Sequence, residues 1–178
     1  MKDNLNEDNT IQPDVREASS HSGKRYKPRT VWSEIVEGLW QGGTPEDDKY
    51  NQLKQPYVTP EKFDAVYTLY AYANPVDWFV KEYRYGFMDS YDTGFDVETI
   101  REIVVQAHTD WKKGKRVLIR CQAGLNRSGL ITALVLIREG YEPKQAISVM
   151  REKRSDYVLM NPVFEEWILS QTTAHWQD

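Results

Sequence analysis

The chain has a single cysteine, Cys121, so no internal disulfide can tie it together. Its three histidines, His21, His108 and His175, are too scattered to form a metal-ligand set, and no metal or other cofactor is expected. No apolar run approaches the ~18 residues needed to span a bilayer, and the opening MKDNLNEDNT lacks the hydrophobic stretch of a signal peptide. The expectation is a cytoplasmic protein with no membrane partner. An excess of positive charge is missing too: 23 Lys and Arg against 27 Asp and Glu give −4 at pH 7, which offers no general attraction to nucleic acid or anionic lipid. Any anion must be held by a local site. Nothing in the sequence calls for an oligomer, and a monomer is expected.

What is present fits one globular domain. At 178 residues, 40% hydrophobic and 28% charged, the chain can bury a real core but not two comfortable ones. Residues 1–29 contain almost no large aliphatics and cannot bury enough surface to offset the entropy of ordering. They are expected to form a mobile polar arm ahead of a domain over 30–178. The basic stretch KRYKPR at 24–29 reads as a solvated charge run.

From Val31 onward, EIVEGLWQGG reads as a short strand ending in a Gly-Gly turn, FDAVYTLYAY as a second strand and EYRYGFM as a third. Asp96 reads as the cap of an amphipathic helix carrying Ile100, Ile103, Val104, Ala107 and Trp111, with Gly114 past its end and His108 facing solvent. RVLI is a short buried strand. The helix GLITALVLIREG after it is apolar nearly all round and ends at Gly140. Two more helices follow, one opening near Pro143 and one capped by Asn161 with Pro162 in its first turn. Strands alternating with helices predict a single α/β domain with a central, mostly parallel sheet flanked by helices. Tyr67, Tyr70, Tyr72, Trp78, Tyr83 and Tyr85 read as core or sheet-surface aromatics.

In such sheets ligands sit where strand C-termini meet helix N-termini, and Cys121 falls at that junction. The loop QAGLN that follows is short, and Gly124 allows a tight turn in which several N–H groups face one centre. The helix beginning near Arg127 adds its positive dipole end, and the Arg127 guanidinium can fork onto two oxygens of a tetrahedral oxyanion. Together these residues describe a phosphate cradle with sulfur beneath it. A free thiol with a pKa of about 8.5 is only a few per cent thiolate at neutral pH, and amides, a helix terminus and a cation all favour the reactive form. That gain is at most ~2 kcal/mol, so larger contributions must come from holding phosphorus in line with sulfur and from donors matched to the transition state.

CQAGLNRSG matches the Cys-x5-Arg-Ser/Thr signature of the cysteine-dependent protein tyrosine phosphatase superfamily, and the short chain resembles its dual-specificity branch. The likeness extends over most of residues 31–170: EIVEGLWQGG is similar to that branch's opening strand, and KRSDYVLMNPVFEEWI to its closing segment. The resemblance implies a phosphatase loop at the strand-to-helix junction and a phosphocysteine intermediate on Cys121. Phosphate would be held by Arg127 and the backbone of Gln122, Ala123, Gly124, Leu125, Asn126 and Arg127, with Ser128 assisting the sulfur as leaving group. It also implies a carboxylic acid on a nearby loop that protonates the leaving oxygen. MDSYDTGFD supplies Asp89, Asp92 and Asp96, the last spent as a helix cap; Asp89, 32 residues ahead of Cys121, is preferred over Asp92.

The substrate implied is a phosphorylated protein or another phosphomonoester. The family has histidine just before the nucleophile, whereas this chain has Arg120, which needs a buried partner that the sequence does not name. Arg120 keeps open a phospho-group binding module with little turnover. An RNA 5'-triphosphatase would share the catalytic residues, but the acidic balance speaks against nucleic acid as a partner. QAGLN carries no lysine for additional phosphates.

Overall fold

Five short strands form one sheet in the computed structural model, which describes residues 28, 30–44, 58–90 and 96–177. The arm expected over 1–29 lies, Pro28 apart, outside the described residues, as does Asp92. EIVEGLWQGG is two strands rather than one: β1 (Trp32–Val36) and β2 (Leu39–Gly42) pair antiparallel around a turn at Glu37 and Gly38, where Gly38 has φ +76°. The turn therefore falls at the first glycine. The pair Gly42-Gly43 instead ends β2 against a neighbouring loop.

The remaining strands are β3 (Ala65–Thr68), β4 (Lys81–Arg84) and β5 (Val117–Arg120), and the sheet order is β1-β2-β5-β3-β4 with every pairing after the first parallel. FDAVYTLYAY is strand over only four residues and EYRYGFM over its first three. The reason lies in β5, which turns away at Cys121: Leu69 N still donates to Arg120 O and Tyr85 N to Thr68 O, and past those bonds neither chain has a neighbour to pair with.

The helices α1 (Val97–Lys112), α2 (Arg127–Glu139), α3 (Pro143–Lys153) and α4 (Pro162–Leu169) cover one face of the sheet. Asp96 caps α1 by accepting from Glu98 N at 3.0 Å, and Asn161 caps α4 through Val163 N at 3.0 Å. α2 packs against α1, α3, α4 and β5 at once, which is why Ser128 to Ile137 are all buried and the helix is apolar all round. A smaller cluster of Val58, Phe63, Val66, Val80 and Leu118 fills the other face.

Side chains depart from expectation at two places. His108 is half-buried, not solvent-facing, because its Nε2 meets Glu139 Oε2 of α2 at 2.8 Å. Tyr67 and Tyr83 stack with centroids 4.7 Å apart as core aromatics, but Trp78 and Tyr72 are 99% and 84% exposed, since they lie on the connection between β3 and β4 rather than on a strand. Asp110 is buried, with Oδ2 accepting from the Tyr67 hydroxyl at 2.8 Å and Oδ1 from Lys115 Nζ at 2.7 Å.

Burial opposes ionisation of Asp110, yet the bonds from Lys115 and Tyr67 and the charges of Lys115 and Lys81 outweigh it and hold its carboxyl below the usual carboxylate range. A depressed folded value means that the contribution is fully present above the ordinary aspartate range and is lost as pH falls through the folded value. Asp110→Asn should therefore cost about 2 kcal/mol at neutral pH, and the penalty should shrink toward about pH 3. Urea denaturation of both proteins across that range is the test; a pH-independent penalty would show that packing rather than charge is lost.

Candidate active site

β5 delivers Cys121 to the end of the sheet, where it is 2% exposed and its N–H donates to Gly42 O at 3.1 Å. The following loop turns back on itself at Gly124, whose φ is +70° and whose Cβ, if present, would stand 2.3 Å from Gly42 C and 2.4 Å from Gly43 N. Only glycine fits that position. Gly43 is constrained similarly, since a Cβ there would come within 2.9 Å of Gln122 O.

The loop's orientation follows from where its carbonyls go. Gln122 O accepts from Thr44 N (3.0 Å), and Ala123 O from Arg154 Nη2 (3.4 Å). Gly124 O accepts from Gln41 Nε2 (3.1 Å) and Arg154 Nε (2.6 Å), and Leu125 O from Leu159 N (3.1 Å). All four oxygens are drawn outward into the protein. The N–H groups of residues 122–127 have no acceptor among the described residues. A ring of amides ahead of the N-terminus of α2 is an anion-binding arrangement.

Arg127 begins α2. Its Nη1 donates to Leu69 O and Phe87 O, both at 3.2 Å, and its guanidinium lies 5.3 Å from the ring of Tyr70. These contacts fix one corner of the plane. Nε, on the opposite edge, is buried with no acceptor among the described residues, so a donor remains for a forked bond to an oxyanion. Ser128 is fully buried and its Oγ lies 3.4 Å from Cys121 Sγ, within hydrogen-bond reach of sulfur.

Asp89 stands over the same loop. Its Oδ2 accepts from Asn126 Nδ2 and its Oδ1 from Asn161 Nδ2, both at 2.9 Å. The structure thus sets Ser128 against Cys121 and Asp89 against Asn126, the residue before Arg127.

Arg120 points to the other face of β5, beside Leu118 in register. Its partner is Glu82: Nη2 meets Glu82 Oε1 at 3.1 Å and Asn74 O at 2.7 Å, while Nε donates to Thr68 Oγ1 at 2.9 Å. Thr68 Oγ1 in turn donates to Glu82 Oε1 at 2.6 Å, and Arg84 Nε pairs with Glu82 Oε2 at 3.1 Å. Burial pulls the Arg120 guanidinium below its ordinary value, and the Glu82 carboxylate opposes that shift. Its charge is spent on β4 rather than on sulfur.

The buried cation next to the loop is Arg154, which sequence reasoning missed. Burial pushes its guanidinium down to about 10, the charge of Cys121 acting the other way, so it remains a cation at neutral pH. It was missed because a Lys-Arg pair at a helix end reads as surface charge. Gln41 and the side chain of Asn161 were missed too, being read as strand and cap residues only.

Removing one partner of a buried pair typically costs about 3–5 kcal/mol, whereas an apolar pair of similar volume is often neutral. Glu82→Ala should destabilise the fold by roughly that amount, and Glu82→Leu with Arg120→Met should recover most of it. Denaturant midpoints decide the matter: a near-neutral Glu82→Ala would mean that the ion pair does not hold Arg120.

Comparison with known proteins agrees with this geometry. A probable protein tyrosine phosphatase type IVA B of Dictyostelium discoideum is 36% identical over 63 residues, 35% of this chain, and the matched stretch spans 39% of that relative. Among solved structures, Tk-PTP in the active form superposes with a TM-score of 0.59 at 24% identity, covering 79% of this chain and 98% of that one. Human DUSP28 gives 0.62 at 16% identity (78% and 90% covered), and OH1 from the Orf virus 0.63 at 14% (86% and 92%). These are likenesses of fold. The sequence itself matches the family described as dual specificity phosphatase, catalytic domain, over residues 79–173, more than half of its length, and the chain belongs to that family.

Proposed function

We propose that the protein is a phosphoric monoester hydrolase of the protein tyrosine and dual-specificity type, working through a phosphocysteine on Cys121. The observation that carries this reading is the outward pull on the carbonyls of residues 122–125, which leaves the amides of 122–127 and Arg127 Nε as donors around the sulfur. A tetrahedral dianion matches that donor set. The cradle itself carries no lysine, which fits a single phosphoryl group better than a polyphosphate or a phosphoinositide.

The steps follow from the placement. The amides and Arg127 bind the three non-bridging oxygens and hold phosphorus in line with Sγ. The thiolate attacks, the bond from phosphorus to the leaving oxygen breaks, and Asp89 passes that oxygen a proton. Water then attacks the phosphocysteine and gives a proton back to Asp89, while the Ser128 hydroxyl donates to the departing sulfur. Arg154 offsets the negative charge beneath the loop throughout. No metal is needed at any step.

A phospho-binding module with little turnover remains the second reading. Its sequence support was Arg120, and that charge is compensated by Glu82 on the face away from the sulfur. The residues on which it would lean are therefore those of the hydrolase. No helix among the described residues is long and apolar enough to cross a membrane.

Hydrolysis of an aryl phosphate in the presence of a chelator tests the proposal. Cys121→Ser should lose turnover and keep vanadate binding, and Asp89→Ala should slow an unactivated substrate by about 10²–10⁴-fold. Wild-type rates in Cys121→Ser would overturn the mechanism. Should Asp92→Ala reproduce the loss while Asp89→Ala does not, the acid is Asp92.

A further inference from the structure

Asn126 occupies the N-cap position of α2, where an asparagine ordinarily folds its side chain onto the backbone of its own helix. Here it does not. Its backbone is already helical (φ −91°, ψ −71°) and its side chain makes no capping bond. Both ends of the carboxamide are used elsewhere: Oδ1 accepts from Asn161 N at 3.0 Å, and Nδ2 donates to Asp89 Oδ2 at 2.9 Å.

The direction of those bonds is fixed by chemistry. A backbone N–H can only donate, so the atom facing Asn161 N is the Asn126 oxygen, and the nitrogen must face Asp89. The same reasoning holds for Asn161, whose Oδ1 accepts from Val163 N and whose Nδ2 therefore donates to Asp89 Oδ1 and to Ser90 O at 2.8 Å. Asp89 thus receives one amide on each oxygen, one from within the phosphate loop and one from the cap of α4.

The turn that brings Asn161 into place is itself constrained. Leu159 has φ +59°, a left-handed conformation unfavourable for a branched side chain, and is held there by complete burial and by its bond to Leu125 O. The closing segment is pinned to the phosphate loop at residue 125, and Asn126 lies next in sequence.

We propose that the Asn126 side chain is a positioning residue for catalysis, setting where Asp89 stands relative to phosphorus bound in the loop. This rests on the hydrolase reading above. Asn126 adjoins Arg127, so its amide moves with the cradle and measures the height of the acid above it. Asn161 alone ties Asp89 to α4, which is not part of the cradle. With Asn126 shortened, the carboxyl stays near the site but loses its register with the leaving oxygen.

A general acid matters in proportion to the basicity of the leaving group, and this separates positioning from simple damage. Asn126→Ala should lower kcat/KM, which reports phosphorylation of Cys121 and not the hydrolysis step both substrates share, by about tenfold or more for phenyl phosphate and by less than about threefold for a dinitrophenyl phosphate, whose leaving group needs no proton. In the Asp89→Ala background the same substitution should have almost no further effect. Vanadate inhibition should persist, showing that the cradle is intact. Asn126→Ser, which can cap α2 but is too short to reach Asp89, should behave like Asn126→Ala and guards against misfolding of the first variant.

Equal losses on both substrates, or additive losses with Asp89→Ala, would overturn the positioning role and leave the phosphatase standing. A folded wild type that hydrolyses neither substrate would overturn the hydrolase reading and this inference with it.

Discussion

The site depends on the guanidinium of Arg154, which is 2% exposed and donates Nε to Gly124 O and Nη2 to Ala123 O. Charge-assisted bonds of this kind contribute about 1.5–3 kcal/mol each, while desolvating the cation costs several kcal/mol, so its net effect on stability is small. Its effect on geometry is not. Carbonyl oxygens are acceptors that would repel an anion, and a buried cation behind the loop is the strongest available means of turning them outward. Because peptide units are planar, each carbonyl drawn out leaves the adjoining amide facing the other way. The same cation lies within electrostatic reach of Cys121, so one side chain shapes the cradle and adjoins the sulfur.

Arg120 is a different solution to a different problem. A cation adjacent in sequence to the nucleophile suggests a role in activating it, but strand alternation sends its side chain to the face opposite Ile119. There it meets Glu82, Thr68 and Asn74 O, while Arg84 reaches the carbonyls of Ala71, Ala73 and Asn74. The two arginines and one carboxylate fasten the irregular connection between β3 and β4 to the sheet, in the absence of a crossover helix there. That connection begins with Leu69, whose carbonyl orients Arg127. The ion pair on the far face therefore bears on the active loop through backbone, and its influence on sulfur is indirect.

The elements most legible in the sequence were those governed by local chemistry. Asp96 and Asn161 as caps, Gly140 as a stop and the all-round apolar α2 follow from propensity and periodicity alone. So does Gly124, because a tight turn between strand and helix calls for a residue that tolerates a positive φ. What escaped reading depends on partners distant in the chain. Strand ends at Thr68 and Arg84 are set by where β5 stops, and the burial of Arg154 by a loop 30 residues earlier. His108 looked solvent-facing on its own helix because the Glu139 that it meets lies on another.

Asn161 shows how one residue can be read correctly and still incompletely. Its cap on α4 needs only the side-chain oxygen, which leaves the amide nitrogen free for Asp89 and Ser90. A carboxylate or hydroxyl cap would satisfy the helix equally well, since aspartate, serine and asparagine are near equivalents there. Aspartate would place a second negative charge beside Asp89 and a hydroxyl would have to serve cap and carboxylate from one atom, whereas asparagine accepts through Oδ1 and donates through Nδ2. Asn126 solves the same problem from the other side of Asp89. The two carboxamides thus form a neutral clamp around Asp89, with one amide donor on each carboxylate oxygen to fix its position.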